Sequence, residues 1–345
     1  MQNTNLEFSS VDDLIKYLEK SQYTHIPTVK PTGKITTKYD LQKIKINDDQ
    51  PRSTTSGSTG IPVSVHKTKQ SILWHIASNI RELTWRKWDM NLKMVAILAK
   101  IKKDEVNGNV YSKSLDSMQN LQKYLEQVQP HYLYTYPTIV DNLDLTKLIN
   151  LIDVKTVGEI GGTNYSCEEA GTIAIQCYEY PENYHIMENI IVETDPKYGI
   201  LVTDLTNPII NRYALGDVVD LGTELCKCGR TLPIIKKIYG RIRNMLILPN
   251  GDKVWPTVGE PKFLSITDKI MRHQTIQKTL YELELRLLVK EKLTDVEEKN
   301  LLNLVSKSIN YDHLTCKIVY VNNDIDFGFG KFEAFKSEVM LSTNA

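Results

Sequence analysis

A loop rich in glycine and hydroxyl side chains occupies residues 53–62 and offers the donors that a phosphate group needs. It contains two glycines and six Ser or Thr residues in ten positions. Glycine lets backbone N–H groups turn toward a bound anion, and the hydroxyls add further donors. Because no Lys follows the second glycine, the loop is not a Walker loop. The composition therefore indicates either a phosphate-binding loop or an ordinary surface loop.

Thiol and imidazole side chains form a second group with metal-binding chemistry. Cys226 and Cys228 are one residue apart, and Cys177 is followed eight residues later by His185. Three thiolates and one imidazole complete a tetrahedral structural zinc site, with no position left for water or substrate. The spacing is not that of a named zinc finger, so separately buried thiols are the alternative. The chain has five cysteines, an odd number, which favours free thiols over disulfides.

Helix and strand patterns alternate through the part of the chain that follows the loop. Apolar residues at helical spacing between Ile72 and Leu83 predict a helix directly after it. An apolar run at 94–99 predicts a buried strand, and a second helix separates it from a Tyr-rich strand at 131–136. This alternation predicts a mostly parallel α/β layer.

From Asn189 onward the pattern changes to short β-rich pieces, which predict a β subdomain. Asn250-Gly251 is a two-residue hairpin signal. Beyond it, an alternating strand, a helix and another strand predict a small α+β domain. We therefore expect a large N-terminal domain at 1–240 and a small C-terminal domain at 257–345, with the boundary in the hairpin region at 241–256.

Composition argues against several classes of protein. The 345 residues are 41% hydrophobic and 24% charged, as in ordinary globular proteins. Lys plus Arg equals Asp plus Glu, 42 against 42, so the net charge is zero and predicts neither nucleic acid nor a membrane as partner. No apolar run is long enough to span a bilayer, and the N-terminus lacks the order of a signal peptide. We expect a cytoplasmic protein, whose oligomeric state the sequence does not indicate.

The loop and several later motifs together resemble a known family. TSGSTGIP at 55–62 is followed by VTDLTN at 202–207, RYALGD at 212–217, CKCGR at 226–230 and YGR at 239–241. This order resembles the adenylate-forming (acyl-adenylate) ligases, and in particular the phenylacetate-CoA ligase branch, of which the chain looks like a short member. The resemblance covers about residues 50–340. It implies a large α/β N-terminal domain with a β subdomain, a hinge at 241–256, and a small mobile α+β C-terminal domain at 257–345.

The resemblance also implies which residues bind ATP or AMP and magnesium. Glu169 matches the magnesium ligand, Tyr165 matches the residue beside the adenine, and Asp217 matches the aspartate that accepts hydrogen bonds from both ribose hydroxyls. Arg241 matches the arginine at the hinge, which contacts ribose or phosphate. The remaining nucleotide-binding residues are those of the loop: Ser56, Gly57, Ser58, Thr59 and Gly60.

A catalytic lysine and an acid pocket follow from the same resemblance. Lys331 lies in FGFGKF at 327–332, which resembles the loop that carries the adenylation lysine. A cation there would stabilise charge in the transition state, so Lys331 and Glu169 are the implied catalytic residues. The implied acid pocket, whose aromatic members favour an aryl or other small acid, consists of Tyr134, Tyr136, Pro137, Gly161 and Gly162.

The implied activity is ATP- and magnesium-dependent conversion of a carboxylic acid into an acyl-adenylate. Transfer to a thiol, either coenzyme A or the pantetheine of a carrier protein, or to an amine would follow. Two alternatives stay open: adenylylation of a cofactor carboxylate without a thioester step, and a non-catalytic binding or scaffold protein. The second is kept open by two departures from the family pattern, Glu168 in place of a hydroxyl residue and Asn244 in place of an acidic one.

Overall fold

The computed structural model describes residues 6–24, 30–44, 51–54, 63–159, 161–241, 245–254, 263, 266–309, 314–321 and 335–339. They belong to two compact units, Met1–Tyr239 and Gly240–Ala345. Helices, a largely parallel sheet and several antiparallel sheets make up these units, which confirms the predicted mixed α/β class. The predicted domain limits and the hinge at 241–256 stay predictions.

Four of the five α-helices in the described part of the first unit begin at a side-chain cap. The five helices are α1 (Val11–Ser21), α2 (Lys38–Gln42), α3 (Lys69–Trp85), α4 (Met118–Val128) and α5 (Pro137–Val140), with a 3₁₀ turn at Leu145–Lys147. Ser10, Thr68 and Ser117 cap α1, α3 and α4, each accepting a hydrogen bond from the backbone N–H three residues on. Pro137 occupies the first turn of α5, where its missing N–H costs nothing. None of the helices in the described ranges is both long and apolar enough to cross a bilayer.

An antiparallel hairpin flanks the predicted phosphate loop. Its strands are β1 (Arg52–Thr54) and β2 (Ser64–His66), and α3 begins three residues after β2. Buried Val63 and Val65 join the main core of the unit beside Leu41 of α2. The hairpin is therefore anchored by apolar packing on the side where the chain enters α3.

A five-stranded sheet forms the α/β layer that the sequence predicts. Its strands are β3 (Met94–Ile97), β4 (Glu105–Asn107), β5 (Val110–Lys113), β6 (Tyr132–Thr135) and β7 (Asp153–Thr156), in the order β4-β5-β3-β6-β7. The pairs β3–β5, β3–β6 and β6–β7 are parallel, and β4 pairs antiparallel with β5. Leu121 and Leu125 of α4 pack on Val95, Ile97 and Leu133 in one buried cluster.

Two further sheets build the β-rich part of the first unit. The larger contains β8 (Asn164–Cys167), β9 (Gly171–Gln176), β10 (Tyr184–Ile186), β14 (Asp217–Leu221) and β15 (Ile234–Arg241), in the order β14-β15-β10-β9-β8. The smaller is antiparallel and contains β11 (Ile190–Asp195), β12 (Gly199–Asp204) and β13 (Tyr213–Ala214). Side chains from both sheets share one core, which includes Ile173, Ile186, Val202 and Ile235.

The second unit contains a hairpin and a four-stranded mixed sheet. Strands β16 (Leu246–Ile247) and β17 (Lys253–Val254) pair antiparallel around Asn250-Gly251, as predicted. The sheet, in the order β20-β19-β18-β21, consists of β18 (Ile270–Thr279), β19 (Glu282–Val289), β20 (Thr315–Tyr320) and β21 (Phe335–Ser337). Helix α6 (Asp295–Ile309) lies between β19 and β20 in the chain, and its Leu301 and Val305 are buried against Leu285 of β19.

Candidate functional site

Two residues predicted to contact the nucleotide meet directly. The Tyr165 hydroxyl donates to Oδ2 of Asp217 over 2.7 Å. Tyr165 lies on β8 and Asp217 begins β14. These strands are the two edges of the five-stranded sheet with the order β14-β15-β10-β9-β8. In a flat sheet these edges would be about 19 Å apart, four spacings of about 4.8 Å. The sheet therefore curls until its edges approach each other at this pair.

Close backbone packing holds the end of β14 that carries Asp217. Gly199 has φ +73°, and a Cβ atom there would lie 2.2 Å from the Asp217 carbonyl oxygen. Only glycine tolerates both this conformation and this approach. Asp217 is 8% exposed. Because a carboxylate accepts up to about four hydrogen bonds, its contact with Tyr165 is compatible with a vicinal diol as a further donor.

The predicted magnesium ligand, Glu169, lies in the turn between β8 and β9. Glu169 is 7% exposed, and its Oε1 accepts a hydrogen bond of 2.9 Å from the Tyr213 hydroxyl on β13. Carboxylate oxygens are the hard ligands that Mg²⁺ prefers together with substrate phosphates. A hydrogen bond from a second residue fixes the orientation of such a ligand. The residues present therefore fit a magnesium ion, which Glu169 would hold.

Cys167 lies next to both carboxylates and is not suited to act as a nucleophile. Burial raises the pKa of its thiol, and the negative charges of Glu169 and Asp217 raise it further. Its sulfur accepts a hydrogen bond of 3.2 Å from the Ala170 backbone N–H, which opposes this shift. The neutral thiol is the stable form, and the thiolate is the nucleophilic one.

The three residues that leave the phosphate-loop hairpin, His66 to Thr68, make contacts that sequence reasoning missed; we call them the exit segment. The His66 carbonyl accepts a hydrogen bond of 2.9 Å from Asn207 Nδ2, and the Thr68 hydroxyl donates to the Thr206 carbonyl over 2.8 Å. Lys67 Nζ donates to the backbone carbonyls of Glu168 and Glu169, over 2.6 and 3.0 Å. The exit segment thus joins the hairpin to the VTDLTN turn and to the turn that carries Glu169.

The VTDLTN motif forms a turn organised by a buried carboxylate. Asp204 Oδ1 accepts hydrogen bonds from the Thr206 N–H over 2.9 Å, from the Thr206 hydroxyl over 2.6 Å and from Asn189 Nδ2 over 3.1 Å. Burial raises the pKa of Asp204, and these hydrogen bonds oppose the shift. Thr206 and Asn207 of this turn are hydrogen-bonded to the exit segment, so the motif stabilises the position of the hairpin.

The aromatic residues of the predicted acid pocket lie at the carboxyl ends of parallel strands. Tyr134 is on β6, and Tyr136 follows it immediately before α5, which Pro137 begins. The Ala99 backbone N–H, just beyond β3, donates to the Tyr136 hydroxyl over 3.0 Å. Ligands of open α/β sheets bind outside the carboxyl ends of the strands. The position of these residues at the strand ends is compatible with the predicted acid pocket, which stays a prediction.

The two glycines assigned to the pocket differ in environment. Gly162 is buried, and its carbonyl accepts a hydrogen bond of 2.9 Å from the Tyr184 hydroxyl. Gly161 is exposed with φ +84°. Both lie in the connection from β7 to β8, so they precede Tyr165 by only a few residues.

A buried carboxylate on α3, which the sequence did not reveal, organises this connection. Glu82 accepts hydrogen bonds of 2.8 Å from both Thr163 Oγ1 and Asn164 Nδ2, and forms an ion pair of 2.9 Å with Lys155. The Lys155 ammonium also lies 4.8 Å from the centre of the Tyr134 ring. Burial lowers the pKa of Lys155, and the Glu82 charge opposes that shift. One side chain thus links the acid pocket to the segment that leads into Tyr165.

The four residues predicted to bind zinc converge. Their ligand atoms, from Cys177, His185, Cys226 and Cys228, all lie within 4.8 Å of one another. The Cys177 and Cys226 sulfurs are 3.9 Å apart, and the Cys228 sulfur is 3.3 Å from His185 Nε2. A tetrahedral zinc with bonds of about 2.0–2.3 Å separates its ligands by roughly 3.5–3.8 Å. The set therefore fits a closed zinc site.

Neighbouring donors and aromatic contacts support the zinc set. Asn183 Nδ2 donates to the Cys226 sulfur over 3.3 Å, and the His185 ring packs edge-on against Trp85 at 5.5 Å. Burial raises the pKa of the Cys228 thiol, but hydrogen bonds from Arg230 and Cys226, together with the positive charge of Arg230, lower this pKa overall. Arg230 also lies 4.3 Å over the Trp85 ring. The set is thus packed onto α3, which carries Trp85.

The other predicted site residues are placed as follows. Arg241 ends β15 and belongs to the second unit. Lys331 and the loop residues Ser56, Gly57, Ser58, Thr59 and Gly60 lie outside the described residues.

Comparison with known proteins agrees with the predicted resemblance. No protein-family profile matches the chain. A phenylacetate-coenzyme A ligase of Thermus thermophilus is 34% identical over 137 residues, which cover 34% of this chain and 30% of that enzyme. The similar segment thus spans less than a third of its relative.

Two of the solved structures that this chain resembles are acid–CoA ligases. A 2-hydroxyisobutyryl-CoA ligase in the postadenylation state, in complex with R3-HIB-AMP, gives a TM-score of 0.66 at 14% identity over 88% of this chain and 79% of that one. The anthranilate CoA ligase AuaEII in complex with anthranoyl-AMP gives 0.56 at 11% identity, over 82% and 65%. At such identities these similarities show the fold. Together with the Thermus relative, they confirm the resemblance to adenylate-forming ligases.

Proposed function

We propose that this chain, a homologue of the adenylate-forming ligases by fold and by partial sequence similarity, uses ATP to activate a small carboxylic acid as an acyl-adenylate. The observation that carries the proposal is the hydrogen bond between Tyr165 and Asp217. The carboxylates of Glu169 and Asp217 both lie near enough to Cys167 to raise the pKa of its thiol. The family pattern assigns Tyr165, Asp217 and Glu169 to adenine, ribose and magnesium. Tyr165 and Glu169 lie four positions apart, on β8 and in the turn after it, whereas Asp217 begins β14. Tyr165 and Asp217 meet across the two edges of one curled sheet.

In the proposed reaction the substrate carboxylate attacks the α-phosphorus of ATP and pyrophosphate leaves. Asp217 accepts the ribose hydroxyls, while Tyr165 is held beside the nucleotide by its hydrogen bond to Asp217. Glu169, oriented by Tyr213, binds magnesium, which supplies positive charge to the phosphates when it is bound. Lys331 contributes a cation that orients the attacking carboxylate against the α-phosphate.

The acid pocket restricts the substrate class. Tyr134 and Tyr136 supply apolar ring surface at the strand ends, which suits an aryl or other small acid. After activation the acyl group passes to a thiol, either coenzyme A or the pantetheine of a carrier protein, or to an amine. None of the five cysteines forms a disulfide, which agrees with a reducing compartment, and we place the enzyme in the cytoplasm.

Exchange of labelled pyrophosphate into ATP, with a panel of carboxylic acids, tests this function. Acid-dependent exchange supports activation, and added coenzyme A, carrier protein or amine then identifies the acceptor. Exchange with no product transfer to any thiol favours the alternative in which a cofactor carboxylate is adenylylated. No exchange, and no acyl-adenylate in a mass spectrum of protein incubated with ATP and mixed acids, would support a scaffold role and contradict the proposal.

Asp217→Ala is expected to weaken ATP binding by about 1–3 kcal/mol, or roughly 5- to 150-fold in the dissociation constant. The ribose diol loses its acceptor, and the Tyr165 hydroxyl loses the partner that holds it. Asp220→Ala is the matched control, because Asp220 is an exposed aspartate on the same strand. Calorimetric titration with ATP measures both variants. Equal ATP affinity in wild type and Asp217→Ala would contradict the assignment.

A further inference from the structure

The exit segment is fixed at each of its three residues. The Lys67 backbone N–H donates to the Pro51 carbonyl over 2.8 Å, which closes the base of the β1–β2 hairpin. His66 and Thr68 are tied to Asn207 and Thr206 on either side of it. The Lys67 backbone therefore has a defined position relative to both strands that carry the phosphate loop.

The side chain of Lys67 extends from this fixed point to the turn that carries Glu169. Its half-buried ammonium donates to the Glu168 carbonyl over 2.6 Å and to the Glu169 carbonyl over 3.0 Å. Hydrogen bonds from a charged donor are shorter and roughly twice as strong as neutral ones. The two hydrogen bonds from Lys67 to successive carbonyls therefore restrain the position of the Glu168–Glu169 turn, in addition to placing a positive charge beside it.

We infer that Lys67 is a positioning residue, which sets the distance between the phosphate-loop hairpin and the metal-binding carboxylate of Glu169. This inference rests on the proposed function, because it takes Glu169 as the magnesium ligand. A magnesium ion shared by Glu169 and the ATP phosphates requires the turn and the hairpin to stay at one separation. Groups of a binding site must be held within about 0.5 Å of their productive geometry. Lys67 follows the hairpin in the chain, and its side chain is hydrogen-bonded to the turn that carries Glu169.

Lys69 distinguishes positioning from a simple effect of positive charge. It lies two residues further on, begins α3 and is exposed. Both lysines line the same open cavity of about 520 Å³. Lys67→Met and Lys69→Met thus each remove one positive charge beside the same cavity, but of the two only Lys67 donates to the Glu168 and Glu169 carbonyls.

The test compares Lys67→Met, Lys67→Arg and Lys69→Met by two measurements that do not depend on turnover. Calorimetry gives ATP affinity with and without Mg²⁺, and hydrogen exchange gives the protection of the backbone amides at 167–171. We expect Lys67→Met to lose roughly 10- to 100-fold in the Mg²⁺-dependent part of ATP affinity, as for other residues that support metal ligands. Its turn amides should exchange faster, whereas Lys67→Arg, which keeps a cationic donor, should restore most of both properties.

Two outcomes overturn the inference. Equal losses in Lys67→Met and Lys69→Met would show that only charge matters. Unchanged turn protection and Mg²⁺ dependence in Lys67→Met would show that the contact does not position Glu169. The wild-type protein is measured first. If its ATP affinity does not depend on Mg²⁺, the magnesium role of Glu169 in the proposed function is wrong, and the inference about Lys67 fails with it.

Discussion

Lys331→Ala is expected to slow acyl-adenylate formation by roughly two to four orders of magnitude, the scale of removing one preorganised charge contact from a reaction centre. Negative charge accumulates between the attacking carboxylate and the α-phosphate as the new P–O bond forms. A cation at this point stabilises that charge and aligns the two reacting groups. Pyrophosphate exchange with the cognate acid measures this step directly.

Lys336→Ala is the matched control for this prediction. Lys336 is an exposed lysine on β21, five residues further along the chain, and its ammonium pairs with Glu338 at 3.4 Å. The control should retain full exchange, and ATP affinity should stay close to the wild-type value in both variants because Asp217 and Tyr165 hold the nucleoside. Full exchange in Lys331→Ala, or a defect confined to acyl transfer, would show that another residue supplies the charge.

Elements with a clear apolar period or a strong turn signal could be predicted from the sequence. The helix that became α3 showed apolar residues at helical spacing, and Asn250-Gly251 predicted the β16–β17 hairpin. The parallel layer followed from the alternation of helices and strands. A short window of sequence was therefore sufficient to predict that these elements exist. It did not predict which face of α3 is buried, because Ile76 and Ile80 of the apolar stripe are exposed. The helix buries Trp74, Ala77 and Trp85 instead.

Other strands carry patterns that mislead a local prediction. The interior of β9 is buried at four successive positions, so it shows no alternation of apolar and polar residues. Strand β18 has the opposite difficulty, because its buried positions include the polar residues His273, Thr275 and Gln277. The Gln277 amide exchanges hydrogen bonds with the backbone of Ile247, over 2.7 and 3.0 Å. A polar residue satisfied by a distant strand looks like a loop residue in the sequence.

The residues that support the site were also beyond a sequence prediction. Glu82 reaches Asn164, 82 positions away, and Lys67 reaches Glu169, 102 positions away. Neither residue belongs to a recognisable motif, since a lone charge on a helix or after a strand is usually exposed to solvent. Their roles depend on a tertiary arrangement that brings α3 and the hairpin onto the β8–β9 turn. The predicted nucleotide, magnesium and acid-pocket residues, by contrast, were identified by their resemblance to a family, and the zinc set was identified by its ligand chemistry.

Removing the zinc ligand Cys226 is expected to produce the largest loss of stability among the variants considered. We propose that Cys177, His185, Cys226 and Cys228 hold one structural zinc ion. Cys177 follows β9, His185 lies on β10, and the Cys226–Cys228 turn connects β14 to β15. A metal here would join four strands of the curled sheet. Protein purified without added metal should contain about one zinc per chain by elemental analysis.

Cys226→Ser should lower the zinc content and the midpoint of thermal unfolding together. Loss of a structural metal typically destabilises by several kcal/mol, which for a domain of this size corresponds to a fall of roughly 10 °C. The effect should extend beyond the ligands, because Trp85 of α3 packs on His185 and its indole N–H donates to Gln22 at the end of α1 over 2.9 Å. Calorimetric unfolding and metal analysis of the same sample measure both quantities.

Cys316→Ser separates metal binding from the general cost of replacing a buried thiol. Cys316 is a half-buried cysteine on β20 of the second unit and lies outside the zinc set. It should leave the zinc content unchanged and reduce stability only slightly. Because four protein ligands leave no coordination position open, zinc would brace β14, which begins with Asp217, without taking part in the reaction. Metal-free protein with normal stability and full pyrophosphate exchange would show that the four residues are buried thiols and a packed imidazole, and would remove zinc from the proposal.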